Sequence, residues 1–446
     1  MLTAHLAVLC IAADKGGDVQ NGVYLPDEQA VKVAASIAKK GDFTTAKNMF
    51  LLLLSSPQKD IRIEALFQLG LIHIAEGDFK KAINAFWEII KNNPALTRVR
   101  LELARAYFLN KEYARAEENF RLVLGQKDLP REVARKVNNF LLLIRQQKNW
   151  SAELGLAIIP DSNLNYATGQ KQECLFLYYG LVCRPLAKKD SGVGLKTNFD
   201  GNYYLRFNES WGVRTNLNIA ALDFPNKEYD DNSFYLSTGP RYIFKRGEAS
   251  LSPQISAREY QGEPYNRSFS LRGDMQINLT DRLVLGAGGL LARATYDNQN
   301  IDKILRGNSL DLYLYPRYFL NSKSFVMAGL RYNVENTANK SFANSGFGCS
   351  LGYYGEFPFG FNLFARADLS KADFKDAQNF IGQSHYIESA KREDILKQIY
   401  IRLSNKNFEY KRITPAVSWN YASRNSNIWS YEFEKHRVEF ELSYRF

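Results

Sequence analysis

The last ten residues of the chain, 437–446, alternate between polar and apolar side chains without interruption. The apolar face holds Val438, Phe440, Leu442, Tyr444 and Phe446, and the positions between them are mostly charged. A strand with one purely apolar face that ends on an aromatic carboxyl-terminal residue is typical of the closing strand of a bacterial outer-membrane barrel. The pattern therefore predicts a terminal barrel strand built on Phe440, Leu442, Tyr444 and Phe446.

The same period of two begins at Trp150, as in residues 195–207, 269–279 and 361–369. Such segments fit strands that face lipid on one side and a wet lumen on the other. Short polar turns are predicted near 208–210, 245–247, 280–282, 321–323, 358–360 and 405–407, and longer loops near 159–191, 222–232, 260–266, 295–308, 335–345, 373–393 and 422–430. Six short turns join twelve strands, and one strand at each end gives fourteen. We therefore expect a 14-stranded antiparallel transmembrane β-barrel over residues 150–446 of an outer membrane, with its short turns in the periplasm.

Upstream of Trp150 the hydrophobic spacing is helical, and the segment repeats itself. Gly41-Asp42-Phe43 recurs as Gly77-Asp78-Phe79 and as Lys111-Glu112-Tyr113, at spacings of 36 and then 34 residues. The aligned small and aromatic positions are Ala46, Ala82 and Ala116, and Phe50, Phe86 and Phe120. Small residues at helix crossings above a buried aromatic are typical of tetratricopeptide repeats, which must stack to bury their apolar faces.

These patterns predict an α+β protein with two domains. Residues 23–149 are expected to form a periplasmic tetratricopeptide-like α-solenoid of three repeats and a closing helix at 131–147. Residues 150–446 are expected to form the barrel. The apolar start of the chain lacks the basic region of a signal peptide, so residues 1–22 are interpreted as a leader remnant or a disordered terminus.

Composition narrows the choice of partners. Charged residues make up 24% of the chain, and no apolar run reaches the 18 residues that a transmembrane helix requires. The net charge of +11 comes without a basic run or a nucleic-acid motif, so nucleic acid is not an expected partner. Cys174 and Cys183 lie nine positions apart in one predicted loop, which favours a local disulfide in an oxidising compartment. Cys349 falls in a strand and is expected to be a free, packed thiol.

The sequence offers little catalytic or metal-binding chemistry. The four histidines, His5, His73, His385 and His436, share no metal-ligand spacing, and neither an HExxH nor a GxSxG motif occurs. Carboxylates and arginines in the strands are expected to line the lumen, where barrels commonly carry such residues. No catalytic residue, metal or cofactor is therefore predicted, and the protein is not expected to be an enzyme.

A helical repeat domain followed at once by a 14-stranded barrel resembles the surface lipoprotein assembly modulator family, also called Slam. The resemblance is strongest in NPALTRVRLELARAYF (93–108), in the helix from Pro130 to Ile144, at Trp150 and in IPDSNLNYA (159–167). The last of these contains a junction motif made of Asp161, Asn163 and Asn165. The resemblance implies an outer-membrane translocator that delivers client lipoproteins, or related secreted proteins that often capture host iron or haem carriers, to the cell surface.

The implied partners are the client, outer-membrane lipid, periplasmic chaperones and the barrel-insertion machinery. The helical domain is expected to engage clients in the periplasm, since a repeat stack offers an elongated groove. Repeat register places five candidate client-binding residues on that groove: Phe67, Arg98, Leu101, Arg105 and Phe108. An equal alternative is that Phe67, Leu101 and Phe108 simply pack between helices.

Two other functions remain open at this stage. A polysaccharide exporter also joins tetratricopeptide repeats to a barrel, but its lumen tends towards one sign of charge, whereas here Arg206, Arg272 and Arg366 accompany Asp200, Asp274, Asp368 and Glu441. A porin with a periplasmic repeat adaptor is the other alternative. The client's route is also open, because it could run through the lumen or through a seam between residues 151–158 and 437–446.

Overall fold

The computed structural model describes residues 8–10, 23–126, 128–147, 149–405, 408 and 413–446. Most of the segment expected to be a leader, 1–7 and 11–22, lies outside the described residues. The described part of this segment is strand β1 (Val8–Cys10), which pairs antiparallel with β2 (Val23–Leu25) just after it. The chain forms two compact units, a helical one that ends at Pro130 and a barrel unit that begins at Arg131.

The helical unit contains three helix pairs. The repeated tripeptides at 41–43, 77–79 and 111–113 join the first helix of each pair to the second. The helices are α1 Asp27–Lys39, α2 Phe43–Leu53, α3 Lys59–Ala75, α4 Phe79–Ile90, α5 Thr97–Leu109 and α6 Tyr113–Leu124. In the first two repeats a glycine with positive φ, Gly41 or Gly77, reverses the chain. The following aspartate then caps the next helix, as Asp42 accepts from the Thr45 amide and Asp78 from the Lys81 amide. The third repeat makes the same turn with Lys111 at positive φ.

The core of each repeat is the small-over-aromatic pair that the sequence indicated. Ala46, Ala82, Ala116, Phe50, Phe86 and Phe120 are all completely buried. Gly70 on α3 lies directly against the Phe86 ring, since a Cβ added there would stand 2.5 Å from Phe86 Cε1. The tetratricopeptide-like α-solenoid is therefore confirmed.

A seventh helix, α7 (Arg131–Gln147), begins the barrel unit. Its Val137, Leu141 and Ile144 are buried, in line with the apolar stripe of the predicted closing helix. The division between compact units thus precedes α7, whereas the period of the sequence changes after it, at Trp150. None of the helices in the described ranges is long and apolar enough to cross a membrane.

The remainder of the chain forms a closed antiparallel barrel of fourteen strands, as predicted. The strands are β3 Trp150–Asp161, β6 Gly192–Arg206, β7 Trp211–Asp223, β8 Asp231–Phe244, β9 Gly247–Tyr260, β10 Glu263–Asn278, β11 Leu283–Tyr296, β12 Gly307–Asn321, β13 Ser324–Thr337, β14 Asn344–Glu356, β15 Phe361–Ile381, β16 Ile387–Asn405, β17 Ile413–Ser426 and β18 Phe433–Arg445. Consecutive strands are neighbours, and pairing of β18 with β3 closes the barrel.

The short turns lie where the sequence placed them, after β6, β8, β10, β12 and β14. The sixth, near 405–407, falls largely outside the described residues. The opposite ends carry additions: the β3–β6 loop contains the hairpin β4 (Gln172–Leu177) and β5 (Gly180–Pro185), and the β11–β12 loop contains helix α8 (Gln299–Leu305).

Two of the predicted long loops were wrong. The segment 260–266 is mostly strand, and only Gln261 and Gly262 turn the chain, both with positive φ as in a two-residue hairpin. The segment 373–393 extends β15 and β16, with an irregularity between Asp373 and Ala377. Polar residues beyond the lipid still satisfy their backbone groups by pairing, so a polar composition alone does not end a strand.

Three of the four cysteines lie on strands of the barrel unit, and the fourth, Cys10, is the last residue of β1. Cys174 and Cys183 are joined by a disulfide between β4 and β5. This hairpin meets the β15–β16 tip, where the Phe176 amide donates to the His385 carbonyl at 2.8 Å. Cys349 on β14 has a free thiol, but it is exposed on the outward face beside Phe347 and Leu351, so its expected packing was wrong.

Candidate functional site: a helix face and the barrel seam

Four of the five candidate client-binding residues share one face of α5. Arg98, Leu101, Arg105 and Phe108 recur at spacings of three, four and three residues, which places them in one row on a helix. Arg98 and Arg105 are exposed, whereas Leu101 and Phe108 are half-buried. We call this row the α5 face, and it presents two cations beside two apolar side chains.

The fifth candidate, Phe67 on α3, is only 3% exposed and does not present itself at the surface. Its ring packs 5.7 Å from that of Phe86, and the Arg98 guanidinium lies 4.5 Å above its centre. A guanidinium over an aromatic ring is attracted to it by about 0.5–1 kcal/mol at an exposed site, which favours this position of Arg98. Phe67 therefore supports the α5 face from beneath by orienting Arg98.

The second arginine of the α5 face is only weakly paired. Arg105 Nη1 lies 3.5 Å from Glu102 Oε2, and the Arg105 side chain is about half exposed. An exposed pair at that distance contributes little and is screened by salt. The Arg105 guanidinium can therefore exchange Glu102 for an acidic group on a ligand at small cost.

His73 on α3 is the one histidine among the described residues of the helical unit. Burial lowers the pKa of its imidazole below the ordinary value, although Glu76 Oε2 lies 3.5 Å from Nδ1 and acts in the opposite direction. The ring is therefore neutral at pH 7, which suits a packing residue. In the described ranges no group of His, Cys, Asp and Glu side chains is arranged to hold a metal ion.

The lumen of the barrel carries charges of both signs, mostly in pairs. Representative pairs are Lys196–Glu439 at 3.2 Å, Arg272–Asp274 at 2.7 Å, Arg331–Asp311 at 2.7 Å, Arg366–Asp368 at 2.9 Å and Arg402–Glu441 at 3.1 Å. The outward positions are apolar, for example Leu351 at 71% and Phe440 at 52% exposure. This distribution is that of a barrel with its apolar face in lipid and a polar interior.

The seam, defined as the pairing of β3 with β18, has an incomplete ladder. It contains seven register partners, whereas β3 pairs with β6 over twelve and β18 with β17 over twelve. The missing partners are Ile159 and Pro160 on β3, which face Glu439 and Val438. The regular alternation of β18 along the sequence does not show this break, and Pro160 is the signal that could have revealed it.

The junction motif lies at the far end of β3 from Trp150, where it joins β18. The Asp161 carboxylate is completely buried, and its Oδ2 lies 3.0 Å from both Lys435 Nζ and Arg437 Nε. Asn163, also completely buried, donates through Nδ2 to the Glu434 carbonyl at 3.0 Å and to the Ala167 carbonyl at 2.9 Å.

Three further hydrogen bonds extend this cluster. The Ser162 amide donates to the His436 carbonyl at 3.0 Å, and the His436 amide donates to Ser162 Oγ at 2.8 Å. Asn165 Nδ2 donates to the Lys188 carbonyl at 2.7 Å, which joins the two ends of the β3–β6 loop. We call Asp161, Ser162 and Asn163, with their partners on 434–437, the latch.

Together these features define an outer-membrane β-barrel protein that carries an N-terminal tetratricopeptide-repeat domain. The family model described as "Surface lipoprotein assembly modifier" matches residues 150–446, and the model of that family's N-terminal TPR repeats matches residues 34–120. The chain belongs to this family, which is one of transport and assembly factors.

Three relatives illustrate the similarity. "Surface lipoprotein assembly modifier 1" of Neisseria meningitidis is 23% identical over 404 residues, which cover 89% of this chain and 78% of the relative. "Surface lipoprotein assembly modifier" of Pasteurella multocida is 24% identical over 83% of this chain and 74% of the relative. "Hemophilin secretion modulator" of Acinetobacter baumannii is 24% identical over 85% of this chain and 78% of the relative.

Proposed function

We propose that this protein carries client lipoproteins, or related secreted proteins, across the outer membrane to the cell surface. Family membership over both the repeats and the barrel is the observation that carries the proposal. The names of the relatives, which refer to surface lipoprotein assembly and to hemophilin secretion, support clients of these two kinds. No catalytic step is required for this activity.

The helical domain is the part that meets the client. The strand β3 starts at the end of the barrel that carries the short turns, which is the periplasmic end in such barrels. The α5 face combines exposed cations with half-buried apolar groups, a mixture that suits an extended client segment with acidic and apolar residues. We expect a periplasmic chaperone to deliver the client in that form, and the general insertion machinery to place the barrel itself.

The barrel supplies the passage. Eight strands leave an interior that side chains fill, and fourteen enclose more space. Because lumenal cations and carboxylates are paired, the interior does not favour an ionic polymer of either sign, which argues against polysaccharide export. The acyl chains of a lipidated client must also be kept out of water, since each acyl methylene moved from lipid into water costs about 0.8 kcal/mol.

Deletion of the gene, followed by complementation, tests the proposed function. We expect surface exposure of the client lipoprotein, measured by protease shaving of whole cells, to fall at least tenfold while its total amount is unchanged. Complementation with the intact chain should restore exposure. Unchanged exposure in the deletion strain, at unchanged total protein, would refute the assembly role and would favour a porin, which single-channel conductance would then reveal as a large, stable open pore.

The α5 face can be tested separately by reversing one charge. We expect Arg105→Glu to weaken client binding to the purified protein about tenfold, because an exposed cation that pairs with an acidic client residue becomes a repulsive anion. Isothermal titration or a pull-down at two salt concentrations measures the change. Leu51→Asp is the matched control, since Leu51 is an exposed apolar residue on α2, outside the α5 face. Weaker client binding by Leu51→Asp, with unchanged binding by Arg105→Glu, would place the binding surface on α2 instead.

A further inference from the structure

The hydrogen-bond phase of the seam shows why its outer end is weak. The Phe446 amide donates to the Ala152 carbonyl, and the Ser162 amide donates to the His436 carbonyl. Hydrogen-bonded pairs alternate with non-bonded pairs along an antiparallel ladder. Pro160 opposite Val438 therefore occupies a hydrogen-bonded position, where proline has no amide proton to donate.

Beyond this break, side chains replace most of the ladder. The His436 amide donates to the Ser162 hydroxyl oxygen rather than to a carbonyl, and the Asn163 side-chain amide donates to the Glu434 carbonyl. Asp161 adds an ion pair to both Lys435 and Arg437. Side-chain bonds can be broken one at a time while each strand keeps its pairing with its other neighbour, β6 or β17. The outer end of the seam is thus built to separate locally.

A small apolar cluster lies behind the break, packed beside lumenal charges, since Ala157 faces Lys196 on β6 and Lys196 pairs with Glu439 on β18. Ala157 and Ile159 point inward from β3 and are buried, Ile159 completely. The register partners of Ile159 and Asp161 on β6 are Gly194 and Gly192. These glycines leave room for two further apolar side chains, because an added Cβ would lie 2.7 Å from Phe224 Cε1 at Gly194 and 2.9 Å from Leu164 Cδ1 at Gly192.

We propose that the acyl chains of a lipidated client leave the lumen for the outer leaflet through the outer end of the seam, between Ile158–Ser162 and His436–Phe440, when the latch releases. This inference rests on the proposed function and adds the route of the lipid anchor. Ala157, Ile159, Leu164 and Phe224 form a cluster that is buried while the latch is closed, and release of the latch exposes it to the chains on the inner side. On the outer side the chains meet the lipid-facing Ile158 and Phe440. A lateral exit spares the chains a passage through the aqueous extracellular mouth.

A disulfide across the seam tests the route. Ile158 and Phe440 are register partners just below the break, both about half exposed on the outward face. In a Cys349→Ala background, oxidised Ile158→Cys with Phe440→Cys should lower surface display of the lipidated client at least tenfold, and reductant should restore it. A client variant without the lipidated cysteine should cross the locked protein within twofold of the wild-type rate, because it has no acyl chains to release.

The matched control is a lock elsewhere in the wall. Leu330 on β13 is the register partner of the native Cys349 on β14, so Leu330→Cys alone places two thiols across adjacent strands far along the barrel from the seam. Its oxidation should leave display of both client forms unchanged. Heat-modifiable gel mobility should show that each locked protein is a folded barrel, and the wild type with reductant controls for loss of the Cys174–Cys183 disulfide.

Two single substitutions should change the strength of the pairing between β3 and β18 in opposite directions. Pro160→Val restores an amide donor and should slow display of the lipidated client at least threefold. Asp161→Asn removes the buried charge that holds Lys435 and Arg437, and should raise hydrogen exchange of β18 amides 438–440 about tenfold. Asp311→Asn, which breaks a lumenal pair with Arg331 away from the seam, should leave β18 exchange unchanged.

The outcomes separate the route from the function. Display of the lipidated client through a locked seam, or equal arrest of both client forms, would overturn the lateral route while leaving translocation intact. Arrest by the Leu330–Cys349 lock as well would show a need for general wall flexibility, which also overturns it. Absence of display with the unlocked wild type would instead refute the proposed function.

Discussion

Phe86→Ala is expected to lower the free energy of unfolding of the helical unit by about 3–5 kcal/mol. The Phe86 side chain is completely buried and contacts both Phe67 and Gly70. Its removal leaves a cavity that the crossing of α3 and α4 cannot close. Far-UV circular dichroism of the full-length protein in detergent should show the helical transition lowered by on the order of 15 °C or more.

Gly70 provides a companion test through a change of size in the opposite direction. Gly70→Ala places a methyl group 2.5 Å from Phe86 Cε1, so it should cost about 1–3 kcal/mol by overpacking. Phe86→Leu is expected to make room, and the double variant should be more stable than the sum of the two single effects predicts. Strict additivity would show that Gly70 and Phe86 do not share a packed contact. Leu51→Asp, at an exposed position, serves as the control for nonspecific loss of stability.

Ile399→Arg is expected to destabilise the barrel by about 2–4 kcal/mol, because it places a charge on the lipid face near the middle of the span. Ile399 on β16 is an outward apolar residue, and the strand ends six residues later at Asn405. A span of nine to eleven residues from that end places Ile399 close to the bilayer midplane. Denaturant-dependent refolding into lipid vesicles, followed by gel mobility, measures the loss.

The adjacent residue supplies a matched control. Gln398 lies on the same strand at the same depth, and the alternation turns its side chain towards the lumen. Gln398→Arg should therefore change barrel stability by less than about 0.5 kcal/mol. Equal destabilisation by both substitutions would mean that the two faces of β16 are not divided between lipid and lumen, which would contradict the transmembrane assignment.

Much of the fold could be predicted from the sequence because the interactions that form its helices, strands and turns are local. The turn between paired helices needs a residue that tolerates positive φ and a capping side chain, so Gly77 and Asp78 mark it directly. The barrel strands show their two environments as strict alternation, and the tight turns interrupt it. Strand ends beyond the lipid were less readable, because alternation of polar residues continues there without an apolar boundary, as in 373–393.

The candidate site was readable only in part. The α5 face follows from repeat register, since residues three and four apart share a helix face. That Phe67 lies beneath it, covered by Arg98, depends on how far α3 and α5 are apart, which register does not specify. The exposed position of Cys349 likewise depended on which face of β14 meets lipid.

The sequence by itself determined the helical repeats, the fourteen strands and the alternation of side chains along them, because each depends on neighbours a few residues away along the chain. The tertiary structure alone decided what Asp161 and Asn163 do. Their partners, Lys435, Arg437 and the Glu434 carbonyl, come from the opposite end of the barrel sequence and meet them only when β18 closes against β3. A buried carboxylate requires compensating charge, and only the closed seam provides it.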